Sequence, residues 1–229
     1  MPARGFCKEI APRNPLSLFS LSGKVEDMDL SDHAADQLRT IRSLLERATV
    51  YRTISVPAAA AGGLVALAAG WFTRSAGPGQ WLLVWHGVLV LVAALNTAML
   101  AAQSRREGRP LLGSGLRLAV RGLVPPLLAG GVLGSLCAWS LALEWCAALW
   151  ILFYGLALLA TQEFAPRSLV WLGRAFFAAG LGSVALCLSL CKHPSAAPGS
   201  ILMAATFGLF HLAYAAAVTV AARRSPPET

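Results

Sequence analysis

The chain has 229 residues, of which 56% are hydrophobic and only 13% charged, and its 19 Lys and Arg against 11 Asp and Glu leave a formal net charge of +8. A soluble domain usually carries about 25% charged residues. That deficit, with a mean hydropathy of +0.62, excludes a soluble enzyme, a disordered chain and a disulfide-rich secreted module, and it identifies a polytopic, all-α membrane protein.

Residues 1–30 are rich in Pro, Gly and Ser. They lack the basic start and long apolar stretch of a signal peptide, since Leu16–Leu21 is short and interrupted by serines. They read as a disordered extension. Reverse translation of Gly23-Lys24-Val25-Glu26-Asp27 permits a purine-rich ribosome-binding tract ahead of Met28, so a native start at Met28 is one expectation.

Residues 31–53 read as an amphipathic helix. Ser31 and Asp32 suit its N-cap, and Asp36 suits its first turn against the helix dipole. Leu38, Ile41, Leu45 and Ala48 then recur at three- and four-residue spacing, with Arg39, Arg42, Glu46 and Arg47 around them. The plain reading is a juxtamembrane helix on an anionic cytoplasmic leaflet, in which Arg39, Arg42, Arg47 and Arg52 meet lipid. The sharper reading is a docking helix for a cytoplasmic partner or for a second copy of the chain.

Six apolar spans follow within residues 54–222: Ile54–Phe72, Trp81–Ala102, Leu118–Trp139, Trp145–Thr161, Leu169–Cys191 and Ile201–Ala222. Each has the length needed to cross a hydrocarbon core of about 30 Å. Leu123 to Ala160 is almost unbroken except for Glu144. A chain turn is therefore expected at Trp139, Glu144 and Trp145, residues that suit the headgroup level. The expected architecture is a transmembrane helical bundle of six spans arranged as three hairpins, with a loose tail at residues 223–229.

Orientation follows from the basic residues. About 17 of the Lys and Arg fall in the N-terminal segment, the second and fourth connections and the tail, and only Arg74 and Lys192 fall on the other side. This asymmetry puts both termini in the cytoplasm. It also accounts for the charge, which is thus poor support for a nucleic-acid partner.

Ionisable and polar groups inside spans are the candidate sites. His211 lies mid-span with Tyr214 one turn later on the same face. The pair, with Asn96 and His86 of the second span, forms a candidate intramembrane polar site, read either as a proton relay or ligand or as interhelical hydrogen bonds that order the bundle. Counting rises from the outer surface places His86 about 7–8 Å deep and His211 about 16 Å deep, which argues against a haem gripped by both. A second candidate is the cytoplasmic-side cluster of Thr161, Gln162, Glu163 and Arg174, in which Arg174 either pairs with Glu163 or snorkels to the interface.

Apart from Cys7, the cysteines Cys137, Cys146, Cys187 and Cys191 all fall toward the outer side. They admit a Cys146–Cys191 disulfide, a soft-metal site at Cys187, Cys191 and His193, or plain packing. No metal ligand set and no cofactor follows from the spacing. Small residues repeat at four-residue intervals as Ala59 with Gly63, Gly130 with Gly134, Ala178 with Gly182 and Ala204 with Gly208, a pattern that lets helices approach closely in lipid. Pro125-Pro126 either kinks the third span or marks its start. A weak echo places an aromatic beside glycine in Trp85-His86-Gly87, Phe153-Tyr154-Gly155 and Thr206-Phe207-Gly208.

Taken together, Leu38-Arg39-Thr40-Ile41-Arg42, Glu46-Arg47-Ala48, Tyr51, Pro57, Gly62-Gly63, Leu149-Trp150, Tyr154-Gly155 and Phe207-Gly208 through His211 resemble a group of uncharacterised bacterial six-helix integral membrane proteins. The resemblance spans residues 31–224 and implies the fold and a bacterial cytoplasmic membrane, with no activity to carry over.

Phosphate-binding loops, HExxH and GxSxG are absent from the sequence. Two functional expectations remain. One is a non-enzymatic sensing, regulatory or partner-anchoring component working through the 32–53 helix. The other is a small proton-coupled transporter built on His211.

Overall fold

The computed structural model describes residues 36–41, 56–106, 108, 114–140, 142–163, 165–190 and 196–224. Residues 36–41 form a helical piece by themselves, with every residue exposed and Arg39 paired to Asp36 at 2.9 Å. The rest of the expected amphipathic helix, including Arg42, Arg47 and Arg52, lies outside the described residues, as do residues 1–30 and the expected Met28 start.

The described part of residues 45–229 is helical throughout, with no strand among it. The helices are α1 (Val56–Phe72), α2 (Pro78–Arg106), α3 (Ser114–Ser140), α4 (Leu143–Leu159), α5 (Arg167–Leu190) and α6 (Ala196–Met203). A π-helical segment, Ala204–Phe210, then runs without a break into α7 (His211–Arg224). Four helical stretches are long and apolar enough to cross a membrane: Pro78–Arg106, Leu116–Ser140, Arg167–Ser189 and Ala197–Arg224. The other two apolar helices, α1 and α4, have 17 residues each.

Local sequence explains the boundaries. Pro57 and Pro78 sit in the first turns of α1 and α2, where the missing N–H costs nothing. Pro125 and Pro126 lie well inside α3, which starts at Ser114, so the pair does not mark the start of the helix. The chain breaks between Ser140 and Leu143, close to the turn that the sequence predicts. Glu144 stands at that turn. It is 1% exposed in the first turn of α4, where the positive end of the helix dipole favours a carboxylate. At the other end of α4, the Thr161 hydroxyl donates to the Leu158 carbonyl at 2.7 Å and helps close the turn.

The packing is not confined to neighbours in sequence. α4 is held between α3 and α5, while the last rod, residues 196–224, lies mainly along α1 and the start of α4 rather than along α5, its neighbour in sequence. Small residues explain the choice. A methyl group on Gly63 would stand 2.9 Å from the Gly208 carbonyl oxygen, and one on Gly70 would stand 3.0 Å from that of Ser200, so α1 and the rod touch backbone to backbone. Gly130 and Gly134 of α3 make room for Phe153 and Trp150 of α4.

On α5 the expected pair Ala178 and Gly182 faces outward, with nothing within 4 Å of a methyl group at Gly182. The close approach is made instead by Gly173 and Gly180, which flank the fully buried Phe176. Gly180 rests against the Leu152 backbone, and Gly155 of α4 rests against the backbone of Phe176 and Phe177.

Candidate functional site: a histidine–tyrosine pair in an aromatic shell

The site forms where α4, α5 and the last rod meet. His211 is the first residue after the π-helical segment. Its Nδ1 lies 2.8 Å from the Phe207 carbonyl oxygen, four residues earlier, and its Nε2 lies 2.9 Å from the Tyr154 hydroxyl on α4. A carbonyl oxygen only accepts, so Nδ1 carries the hydrogen. In a neutral ring Nε2 then holds the lone pair, and the Tyr154 hydroxyl donates to it. A π turn shifts backbone bonding from four residues to five. The ring of His211 supplies the Phe207 carbonyl with a donor at the four-residue position.

Aromatic rings enclose the pair. Phe176 lies 4.7 Å from Tyr154 and 5.4 Å from His211, both edge-on. Phe207 lies 4.9 Å from Tyr154 and stacks on His211 at 6.1 Å with 14° between planes. Phe210 closes on Phe176 at 5.3 Å. Such a shell excludes water and offers few competing partners, so the imidazole and the phenol are each other's principal polar contact.

A second polar node lies near the α1–α2 turn and the start of the rod. Ser200 Oγ is 2.9 Å from Trp81 Nε1 and 3.0 Å from Thr73 Oγ1, and Thr73 Oγ1 donates to the Ala69 carbonyl at 2.8 Å. Thr73 has one hydroxyl hydrogen, already given to Ala69, so Ser200 donates to Thr73 and accepts from Trp81. The result is a one-way chain from indole N–H through two hydroxyls to a carbonyl, and all three side chains are buried. Trp81 also packs on Trp85 at 5.8 Å and on Trp150 at 5.6 Å.

The residues singled out in the sequence distribute as follows. Tyr214 is buried on the same rod as His211, but its hydroxyl meets Ser168 of α5 instead of serving His211. His86 packs edge-on against Trp150 at 5.0 Å, with Nδ1 donating to the Leu82 carbonyl at 2.8 Å. Asn96 has no hydrogen-bond partner among the described residues.

The cytoplasmic-side cluster does not assemble. Thr161 is buried and bonded to its own turn, Gln162 and Glu163 are exposed, and Arg174 reaches over Trp171 at 5.1 Å rather than pairing with Glu163. Cys146 is a fully buried free thiol, while Cys191 and His193 lie outside the described residues. Among the described residues no group of three or more His, Cys, Asp or Glu could hold a metal ion.

Tyr154 is not among the candidates that the sequence singles out. Its signal lies in the echo, since Phe153-Tyr154-Gly155 and Thr206-Phe207-Gly208 are the two segments that meet at the site. Comparison with known proteins is silent: no family model, no curated protein and no solved structure matches the chain.

Proposed function

We propose that the chain crosses a bacterial cytoplasmic membrane six times with both termini in the cytoplasm, and that it serves as a non-enzymatic sensing, regulatory or partner-anchoring component. One observation carries this reading. Two sets of polar side chains close on one another and on backbone carbonyls, Trp81–Ser200–Thr73–Ala69 and Tyr154–His211–Phe207, and the bonds within each set tie helices together. Such closure suits a scaffold.

Six crossings are supported by length and charge. At 17 residues, α1 and α4 extend about 26 Å, close to a hydrocarbon core of about 30 Å. Arg105 and Arg106 end α2, and Arg223 and Arg224 end α7, as cytoplasmic helix ends require. The exposed piece at residues 36–41, with its Asp36–Arg39 pair, belongs to the segment proposed to meet anionic lipid and a cytoplasmic partner or second copy.

The experiment is a cross-linked recovery of partners from membranes with the full chain and with a chain lacking residues 1–53. Loss of a discrete partner with insertion intact supports the reading. Identical recovery from both chains overturns it.

The second reading, a proton-coupled transporter, is favoured by one specific feature: the Tyr154–His211 pair sits at the end of a π-helical segment, a rare geometry frequent at functional sites. Under it, His211→Ala abolishes pH-driven uptake in proteoliposomes while the bundle stays folded.

A further inference from the structure

Helix α2 is the least covered of the long helices. Many of its apolar residues, among them Leu83, Leu89, Val90 and Leu91, are exposed. Its buried residues, Trp81, Leu82 and Trp85, all lie in its first turns. Further along, α2 is held against α1, where Val92 stands 3.1 Å from the position a methyl group on Gly62 would take. The two helices run antiparallel, so the next turn of α2 passes the alanines at the start of α1.

Asn96 lies in that turn. It is nine residues before Arg105, about 13 Å along the axis, and so near the middle of a hydrocarbon core. Its carboxamide is only partly covered and has no hydrogen-bond partner among the described residues. Ala58 and Ala59, in the turn of α1 toward which that antiparallel course leads, carry no polar side-chain atom. Thr97, the adjacent hydroxyl, is already bonded to the Ala93 carbonyl at 2.8 Å. Acyl chains offer neither donor nor acceptor, so lipid leaves the amide unsatisfied, at a cost that an opposing polar group removes.

The surface around Asn96 fits a helix. Leu89, Ala93, Asn96 and Leu100 recur at spacings of four, three and four, and so form one stripe. Leu89 is 56% exposed and Ala93 is exposed, while Leu100 is partly covered. Ala93, one turn before the amide, and Thr97, beside it, are both small and exposed, so a second backbone can come close there. Leu89 and Leu100 supply apolar contact at the two ends of the stripe. A carboxamide carries both a donor and an acceptor, so under a two-fold axis two of them satisfy each other reciprocally.

We propose that two copies of this chain associate in the membrane through the Leu89, Ala93, Asn96 and Leu100 stripe of α2, with the Asn96 amides paired across the two-fold axis. Self-complementary hydrogen bonding selects a second copy over lipid as the occupant. The stripe is separate from the 32–53 segment, so the association does not depend on a cytoplasmic partner.

The test uses full-length chains bearing donor or acceptor fluorescent proteins at the C-terminus, in phosphatidylcholine–phosphatidylglycerol vesicles over a range of protein-to-lipid ratios. Energy transfer should rise saturably with that ratio. Asn96→Leu, which inserts readily in lipid, should raise the half-saturating ratio by about tenfold, in line with loss of the reciprocal pair of interhelical hydrogen bonds. Asn96→Gln should retain association, and Ala93→Phe, which blocks close approach without touching the amide, should weaken it. Helical circular dichroism checks that each variant is folded, and the Ala93→Phe arm decides if Asn96→Leu is not. Two results would overturn the proposal: no saturable transfer by the wild-type chain, which leaves the stripe to lipid, or a half-saturating ratio that neither Asn96→Leu nor Ala93→Phe changes.

Discussion

Tyr154 donates its hydroxyl hydrogen to Nε2 of His211 across the contact between α4 and the last rod, over a separation of 57 residues. Because Nδ1 of the same ring is committed to the Phe207 carbonyl, the imidazole is held in one tautomer and one orientation. Tyr154→Phe keeps the ring packing against Phe176 and Phe207 but leaves Nε2 without a donor. It should destabilise the bundle by about 1 kcal/mol, as interhelical hydrogen bonds in membranes generally do. Unfolding in mixed micelles by added SDS, followed by circular dichroism, measures this. A double-mutant cycle with His211→Ala should show that most of the loss is shared between the two residues.

Ser200 both donates and accepts, and so its loss breaks two bonds. Ser200→Ala should cost about 1–3 kcal/mol because the buried Trp81 N–H loses its acceptor and Thr73 loses its donor. Thr73→Val also breaks two bonds but should cost less, since Ser200 still receives the indole hydrogen and the Ala69 carbonyl still accepts the Thr73 backbone N–H at 3.0 Å. The same unfolding assay ranks the two, and an equal cost would contradict the direction of the chain.

Glycines on α5 separate by what they face. Gly180→Ala places a methyl group 2.6 Å from the Leu152 backbone nitrogen, which cannot move aside as a side-chain tip does. It should destabilise by about 1–3 kcal/mol through overpacking. Gly182→Ala, two residues on and facing open space, should be neutral or slightly stabilising. Parallel unfolding midpoints test the contrast.

The thiols offer a further check on packing. Cys146 is fully buried, whereas Cys137 is partly exposed. A membrane-permeant alkylating reagent should modify Cys137 in the folded protein and reach Cys146 only on unfolding, because access limits thiol reactivity. Mass spectrometry of the alkylated peptides reads both sites, and early labelling of Cys146 would contradict the burial.

Much of the helical layout is legible in the sequence because apolar runs of membrane length leave little choice of secondary structure. His211 stands out for the same reason: an ionisable group mid-span is conspicuous. Its partner does not. Periodicity reports neighbours on one helix, which is why it pairs Tyr214 with His211, but it does not say which helix lies opposite. The Thr73–Ser200 bond joins residues 127 apart at the ends of helices, where hydroxyls are common in sequence. The small-residue pattern has a similar limit. Ala178 with Gly182 and Gly173 with Gly180 both have the composition of a close-contact pair, and only the position of α4 decides between them.

The π-helical stretch sets the phase of the last rod. Ser200 and His211 are eleven residues apart, a spacing that brings both to nearly the same side of an uninterrupted α-helix. Wider turns across Ala204–Phe210 make the second half lag by roughly a third of a revolution. One continuous element thus turns its serine toward Thr73 and Trp81 and its histidine toward Tyr154, so a single-residue deletion there would swing His211 out of alignment with α4 even though no contacting side chain had changed.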